Sequence, residues 1–285
     1  MIKTTIRDNK NNLPIGILSD GKRHKEFSLR PSTGRIDKQL AIWDDANSDV
    51  RDRDRQKFEF RKVAKHLSLL LERVGEISFP LDKDGNAAPE SELRVMQMPF
   101  SDVLYAYTFA RIKALGEKIH LPFICPHCKH QSVIGVDLQD IDVFVPEKED
   151  EVSFWVDLRR PLTLSNDSGA AKAFKITPLP FSALINGGFN GKINQSLDLL
   201  TLQASIVAAR TQHGDKPYTL LDADLDNLDR FDILTLSMEA DKKMAGPRVV
   251  LDVKCPKCGK EAQDILDWSY TFFFDLSFRL SASTI

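Results

Sequence analysis

The four cysteines of this chain fall in two matched pairs, Cys125-Pro126-His127-Cys128 and Cys255-Pro256-Lys257-Cys258, with none left over. Thiolates are soft anionic donors, and four of them make up the ligand set of a closed tetrahedral zinc site. Such a site leaves no position for water, so its role is structural rather than catalytic. Some 126 residues separate the two pairs, far more than in a compact finger. A shared ion would therefore draw distant parts of the chain together, and its binding free energy would offset the cost of closing so long a loop. The spacing assigns Cys125, Cys128, Cys255 and Cys258 as ligands of one structural Zn2+.

Other chemistries can use the same residues. Cys-Pro-His-Cys is also the active-site motif of a class of thiol–disulfide oxidoreductases, in which the reactive thiol sits at a helix N-terminus that lowers its pKa. Here the residues from Ser132 to Leu138 alternate like a strand, and the second pair would have no role. Two separate disulfides, one inside each pair, are a further alternative. His127 and His130 could replace a thiolate, but with four cysteines at hand they read as spectators. Zinc ribbons can bind nucleic acid, and Lys129, Lys254, Lys257 and Lys260 make both knuckles mildly basic. Lysine is equally favoured beside a doubly anionic zinc tetrathiolate. The chain as a whole carries 39 basic and 41 acidic residues, for a net charge of −2, without the basic stripe of a nucleic-acid binder. A nucleic-acid-binding zinc ribbon stands as the alternative function.

Enzymatic motifs are missing: there is no glycine-rich phosphate loop, no G-x-S-x-G elbow and no H-E-x-x-H. The acidic run Asp222, Asp224, Asp226, Asp229 lacks the glycine and terminal glutamate of a calcium loop; it reads as acid enriched ahead of a helix that starts near Asp229. Arg51-Asp52-Arg53-Asp54-Arg55 reads as a solvated, self-paired surface run. Residues Met1 to Asn12 are polar and lack the apolar stretch of an export signal. No window approaches the ~20 apolar residues of a membrane helix. Sparse cysteines fit a reducing cytoplasm.

The elements that must position the pairs can be read from periodicity. Ile15–Leu18, the turn Ser19-Asp20-Gly21 and Phe27-Ser28-Leu29 form a hairpin, after which Ser32 or Thr33 can cap a helix. Phe60, Val63, Leu67, Leu70, Leu71 and Val74 recur at helical spacing and predict a helix over roughly 55–75. Pro99-Phe100-Ser101 opens another, with Ser101 as cap, a stripe of Val103, Tyr107, Ala110 and Ala114, and Gly116 as its stop. Each knuckle is flanked by strands, so that 119–145 and 249–275 look like two copies of one strand–knuckle–strand unit. Residues 146–151 form a solvated linker, and 152–177 are β-structure broken at Asn166-Asp167-Ser168-Gly169. A loop follows at Gly187-Gly188 and Asn190-Gly191. Two helices come next, one carrying Leu199, Leu202, Ile206 and Ala209, the other Ile233, Leu236, Ala240 and Met244, stopped by Gly246-Pro247. From Tyr270 to Leu280 apolar residues alternate strictly, which predicts a one-faced strand serving either as core or as an arm that adds to a neighbour.

Three features together resemble one family. They are the hairpin running into Phe27-Ser28-Leu29-Arg30-Pro31-Ser32-Thr33-Gly34; Cys-Pro-His-Cys followed by Val136-Asp137-Leu138 and Ile141-Asp142-Val143; and Cys-Pro-Lys-Cys-Gly leading to Leu266-Asp267-Trp268 and Phe272-Phe273-Phe274. The chain resembles the baseplate (hub or assembly) proteins of T-even-type contractile phage tails and related contractile injection systems. The resemblance implies a non-enzymatic structural or assembly component that binds other baseplate and tail subunits. It implies no small-molecule substrate; the lack of a membrane-length apolar run argues against a membrane partner, and the mixed charge of the chain disfavours nucleic acid. It also implies folding in the cytoplasm of the host bacterium before entry into the tail. A tail-assembly chaperone that never enters the particle is a variant of this reading.

The expected architecture is α+β. Residues 1–116 form a hairpin-and-helix lobe. Residues 117–145 and 248–270 form a split four-cysteine zinc ribbon that clamps an α+β insertion, 146–247, and 271–285 form an aromatic strand or arm.

Overall fold

The computed structural model describes residues 1–166, 169–186, 202–248 and 250–265. The expected loop at 187–191, Leu199 and the aromatic strand from Tyr270 onward lie outside the described residues. The fold is α+β, with several small antiparallel sheets.

The chain opens with β1 (Ile2–Thr5) and a one-turn helix, Ile6–Asn9. The expected hairpin follows as β2 (Asn12–Ser19) and β3 (Lys22–Leu29), with Ser19 opposite Lys22. Thr33 sits at the N-cap of the helix Gly34–Ala46, although its side chain makes no capping bond. After a short helix, Ser48–Arg53, the helix Arg55–Leu70 starts at Asp54, whose carboxylate accepts the Lys57 N–H at 3.0 Å. The run Arg51–Arg55 is therefore only partly self-paired: Arg51 meets Asp52, Arg53 turns to Asp49, and Asp54 serves as a cap.

The predicted helix over 55–75 ends early. At Leu71 the backbone becomes extended, and β4 (Leu71–Val74) pairs with β3 before the short β5 (Ile77–Ser78). The free edge of β3 satisfies the backbone of this β-favouring tail, and that pairing overrides the helical spacing. The helices Pro89–Gln97 and Phe100–Leu115 complete the lobe. Ser101 is not the cap of the second. Pro99 occupies that position and Ser101 is buried in the first turn, while Gly116 ends the helix at φ 87° as expected. Asp102, in the same turn, is fully buried and accepts the N–H groups of Ile15 and Gly16 at 2.9 and 2.7 Å, pinning β2 to the helix. The core of this region gathers Phe27, Leu67, Leu71, Tyr105 and Ile141, and it also takes in Phe181 and Ile185 from the helix Phe181–Asn186.

The first knuckle joins β6 (Lys118–Ile124) to β7 (Gln131–Asp137). Next comes β8 (Asp142–Val145). A four-stranded sheet of order β12-β11-β10-β9 is then built from β9 (Phe154–Thr163), β10 (Ala170–Ile176), β11 (Ile206–Thr211) and β12 (Gly214–Pro217). One expectation fails here. Ile206 and Ala209 are not on a helix with Leu202 but on β11, opposite Ile176 and Phe174. β-Branched Ile206, Val207 and Thr211 suit a pleated strand once a partner is present. The helices Asp222–Asn227 and Arg230–Lys242 cover this sheet, and Phe174, Ile206, Leu220 and Leu236 form its core. Met244 lies beyond the last helix and is exposed.

Short β13 (Gly246–Pro247) pairs with β8, which also pairs with β1, so Val143 faces Pro247 and both ends of the 146–247 stretch meet in one small sheet. Gly246 has φ 117°, and a Cβ there would stand 2.4 Å from the Cβ of Ser101. Only glycine allows the strand to lie this close to the buried helix. β14 (Val250–Lys254) and β15 (Glu261–Ile265) carry the second knuckle. Among the described residues, no helix is long and apolar enough to cross a membrane.

Candidate metal centre

Each pair of cysteines sits at the tip of a two-stranded hairpin, and the two tips have the same backbone. In the first, the Cys125 N–H donates to the His130 carbonyl at 3.0 Å and the Lys129 N–H donates to the Cys125 carbonyl at 2.9 Å. In the second, Cys255 donates to Lys260 at 2.9 Å and Gly259 donates to Cys255 at 3.0 Å. The residue after the second cysteine is left-handed in both, at φ 58° for Lys129 and φ 70° for Gly259. This turn aims N–H groups at the sulfurs. Those of Cys258 and Lys257 bring the Cys255 thiol down to about 6, and those of Cys128 and His127 lower Cys125 against the opposing effect of burial. The thiolate is the form that binds a metal.

The hairpins face each other through Phe123 and Ile134 on one side and Leu251, Val253 and Ala262 on the other. Cys125 and Cys255 are buried in that contact. Across it, the Sγ atoms of Cys125 and Cys258 are 3.8 Å apart, and those of Cys128 and Cys255 are 3.7 Å apart. All four lie within 4.8 Å of one another and no disulfide joins them. A tetrahedral ion with bonds of about 2.3 Å spaces its sulfurs by about 3.8 Å, so the cluster fits zinc in both donor type and dimensions. Strands, not helices, follow both pairs, and the helix N-terminus that activates an oxidoreductase cysteine is missing here.

The structure brings together all four cysteines predicted from spacing. No histidine joins the cluster among the described residues. His127 instead reaches across, its Nε2 lying 3.1 Å from the carbonyl of Glu261. That clasp has no signature in the sequence. The left-handed Lys129 was hidden too, although Gly259 at the matching place in the other knuckle was a cue.

Asp224 was also missed. It is no metal ligand but a buried acceptor that receives Ser165 N–H and hydroxyl at 2.8 and 2.7 Å, Leu221 N–H at 2.9 Å and the Tyr218 hydroxyl. Asp229 behaves as expected and accepts the Phe231 N–H at the start of the helix Arg230–Lys242.

The family model for the T4 bacteriophage base plate protein matches residues 86–274, more than half of the chain and a span that contains both knuckles. The chain belongs to that family. No curated protein and no solved structure is significantly similar to it. In this base plate family protein the matched span starts just before the helix Pro89–Gln97, so the two cysteine-centred features of the resemblance fall inside it and the N-terminal hairpin falls outside.

Proposed function

We propose that this chain is a non-enzymatic structural or assembly component of a contractile tail baseplate that binds other baseplate proteins. We further propose that Cys125, Cys128, Cys255 and Cys258 hold one structural Zn2+. Membership of the base plate family carries the first part; the four-sulfur geometry supports the second. On this reading the protein folds in the host cytoplasm and acts in the tail.

The chain's own residues supply the work. The knuckle amides favour the thiolates of Cys125 and Cys255, the two hairpins exclude water from those same two sulfurs, and His127 ties the first tip to the backbone of the second. Bound zinc would supply charge neutralisation and cross-linking, with no reaction at the metal. Residues 1–116, the paired segments 117–145 and 248–270, the stretch 146–247 and the tail 271–285 serve as its working units. The helix Arg230–Lys242 supports a contact role: Phe231, Leu234 and Met238 recur at one-turn spacing on its outer side and each is more than half exposed. Large apolar side chains grouped on a surface mark sites that another protein covers.

The test is an in-frame deletion of the gene in the phage or particle that carries it. The expected result is loss of complete tails, restored by the wild-type gene. Intact tails without the protein would overturn the assignment. Mass spectrometry of purified particles separates a resident subunit from a chaperone that leaves. Metal analysis of protein purified without chelator should give about one zinc per chain; no metal would remove the second part.

A further inference from the structure

The cleft beside the hairpin lobe has an unusual charge pattern. It encloses about 880 Å³ between the first turn of the chain, the end of β3 and the last turns of the helix Phe100–Leu115. Its floor is apolar, with Phe27, Leu29, Phe109 and Ile112, and the rings of Phe27 and Phe109 meet edge to face at 5.3 Å. Every charged side chain that lines it is a cation: Arg7, Lys10, Arg30 and Lys113.

These cations are unequally neutralised. Arg7 pairs with Asp140 at 2.8 Å on one rim. Arg30 gives its guanidinium to the carbonyls of Leu69, Leu71 and Phe79, with the Glu72 carboxylate near enough to act on its charge. Lys113 lies over the Phe109 ring, 5.3 Å from its centre. Lys10 is held at φ 50° and ψ −127°, a conformation that suits glycine; its N–H is bonded to Ile6 and its carbonyl to the Tyr105 hydroxyl. A non-glycine residue kept in such a conformation is strained, and the surrounding fold must hold it there. Here it places an exposed lysine on the lip of the cleft.

We infer that this cleft is a docking groove for a segment of another protein that carries carboxylates interleaved with large apolar side chains. The apolar floor supplies burial, and Lys10 and Lys113, with the Arg30 charge behind them, select the sign of the partner. A second cleft, between β7 and β14, carries the opposite bias, with Asp137, Asp140, Asp142 and Asp252 against Arg248 and Lys254. The two openings therefore discriminate between partners. The inference rests on the baseplate reading for its choice of a protein as occupant.

The experiment uses full-length, zinc-loaded protein and fluorescein-labelled twelve-residue peptides: one alternating Glu with Phe and Leu, one with Lys in place of Glu, and one with Ser in place of Phe and Leu. Fluorescence anisotropy should show binding of the first peptide only, weakened by salt. The double variant Lys10→Glu/Lys113→Glu should weaken it at least tenfold, whereas Lys172→Glu/Lys216→Glu, on the distant sheet, should not. Circular dichroism and zinc content check that both variants fold. Equal binding of the Lys peptide, equal effects of the two double variants, or no binding of the acidic apolar peptide overturns the groove. Binding through Lys10 and Lys113 in a protein whose deletion leaves tails intact would keep the groove and discard the baseplate role. The reverse pair of results would do the opposite.

Discussion

If zinc binds at the four cysteines as proposed, removing it should loosen the knuckles far more than the rest of the molecule. Cys128 and Cys255 are 127 positions apart. If zinc alone closed a loop of that length, chain entropy would make the cross-link worth about 5 kcal/mol to the whole fold. The loop is already closed at its base, however, because Val143 pairs with Pro247 and Phe144 with Gly246. What zinc would close is the path from Cys128 to Val143 and from Pro247 to Cys255, about two dozen residues, for which the same relation gives about 3.5 kcal/mol. The variant Cys255→Ser/Cys258→Ser removes half of the ligands and should bind no zinc. Native-state hydrogen exchange reads the result. The amides of Cys125, Lys129 and Gly259, protected by the turn bonds within each tip, should exchange about 300-fold faster. Amides of β10 such as Phe174, which pairs with both Val156 and Ala209, should keep their protection. Loss of protection throughout β9 to β11 would refute the argument, since it would mean that the pairing of β8 with β13 does not hold without metal. Unchanged knuckle amides would refute the lock itself.

Three further outcomes follow from particular side chains. Lys129→Gly relieves a left-handed lysine and should stabilise the first knuckle by up to about 1 kcal/mol, whereas Gly259→Ala should cost the second about as much; chelator titration of zinc retention compares them. His66 is buried against the Tyr107 hydroxyl, and burial brings its pKa down to about 3 from 6.5. The unfolded chain takes up that proton first, so stability is complete above pH 6.5 and falls as pH drops towards 3, by about 1.4 kcal/mol per pH unit. Denaturant melts across this range should show the slope in wild type and lose most of it in His66→Gln. Asp102→Ala strands the buried N–H groups of Ile15 and Gly16 and should cost about 3 kcal/mol, read as a lower denaturation midpoint at unchanged m-value.

How much of this was legible in the sequence depends on whether the cue is local. The meeting of the four cysteines was, because C-P-x-C favours a tight turn and two matched turns with unpaired thiols point to one another. The β2–β3 hairpin was also legible, since Asp20-Gly21 supplies a reversal of its own. Leu71–Val74 was not: its spacing continues the preceding helix, and only β3, more than forty residues earlier, makes it a strand. Ile206 and Ala209 misled in the same way, since a helical spacing of apolar residues cannot register that β10 is waiting to pair. Ser101 looked like a cap because serine usually is one. Its real task is to be small enough, against Gly246, for β13 to approach the helix. Asp224 sat in an acidic run that composition explains well enough, and nothing local signals that Ser165 and Tyr218 converge on it.

The two knuckles reach one backbone geometry with different side chains. Beyond the cysteines and the proline they share little: His127 answers Lys257, and Lys129 answers Gly259. Yet the hydrogen bonds within each tip agree to 0.1 Å. The requirement is a backbone turn that presents N–H groups to two sulfurs, and its left-handed residue is needed for that geometry whatever its side chain. Lysine at 129 pays a steric penalty of about 1 kcal/mol that glycine at 259 avoids. A penalty of that size is small beside the binding energy of a structural zinc, so a metal-bound knuckle can tolerate it and a metal-free one is the less stable for it. The first knuckle should therefore be the one that opens first when zinc is withdrawn, with the His127 contact to Glu261 the bond that breaks as it does.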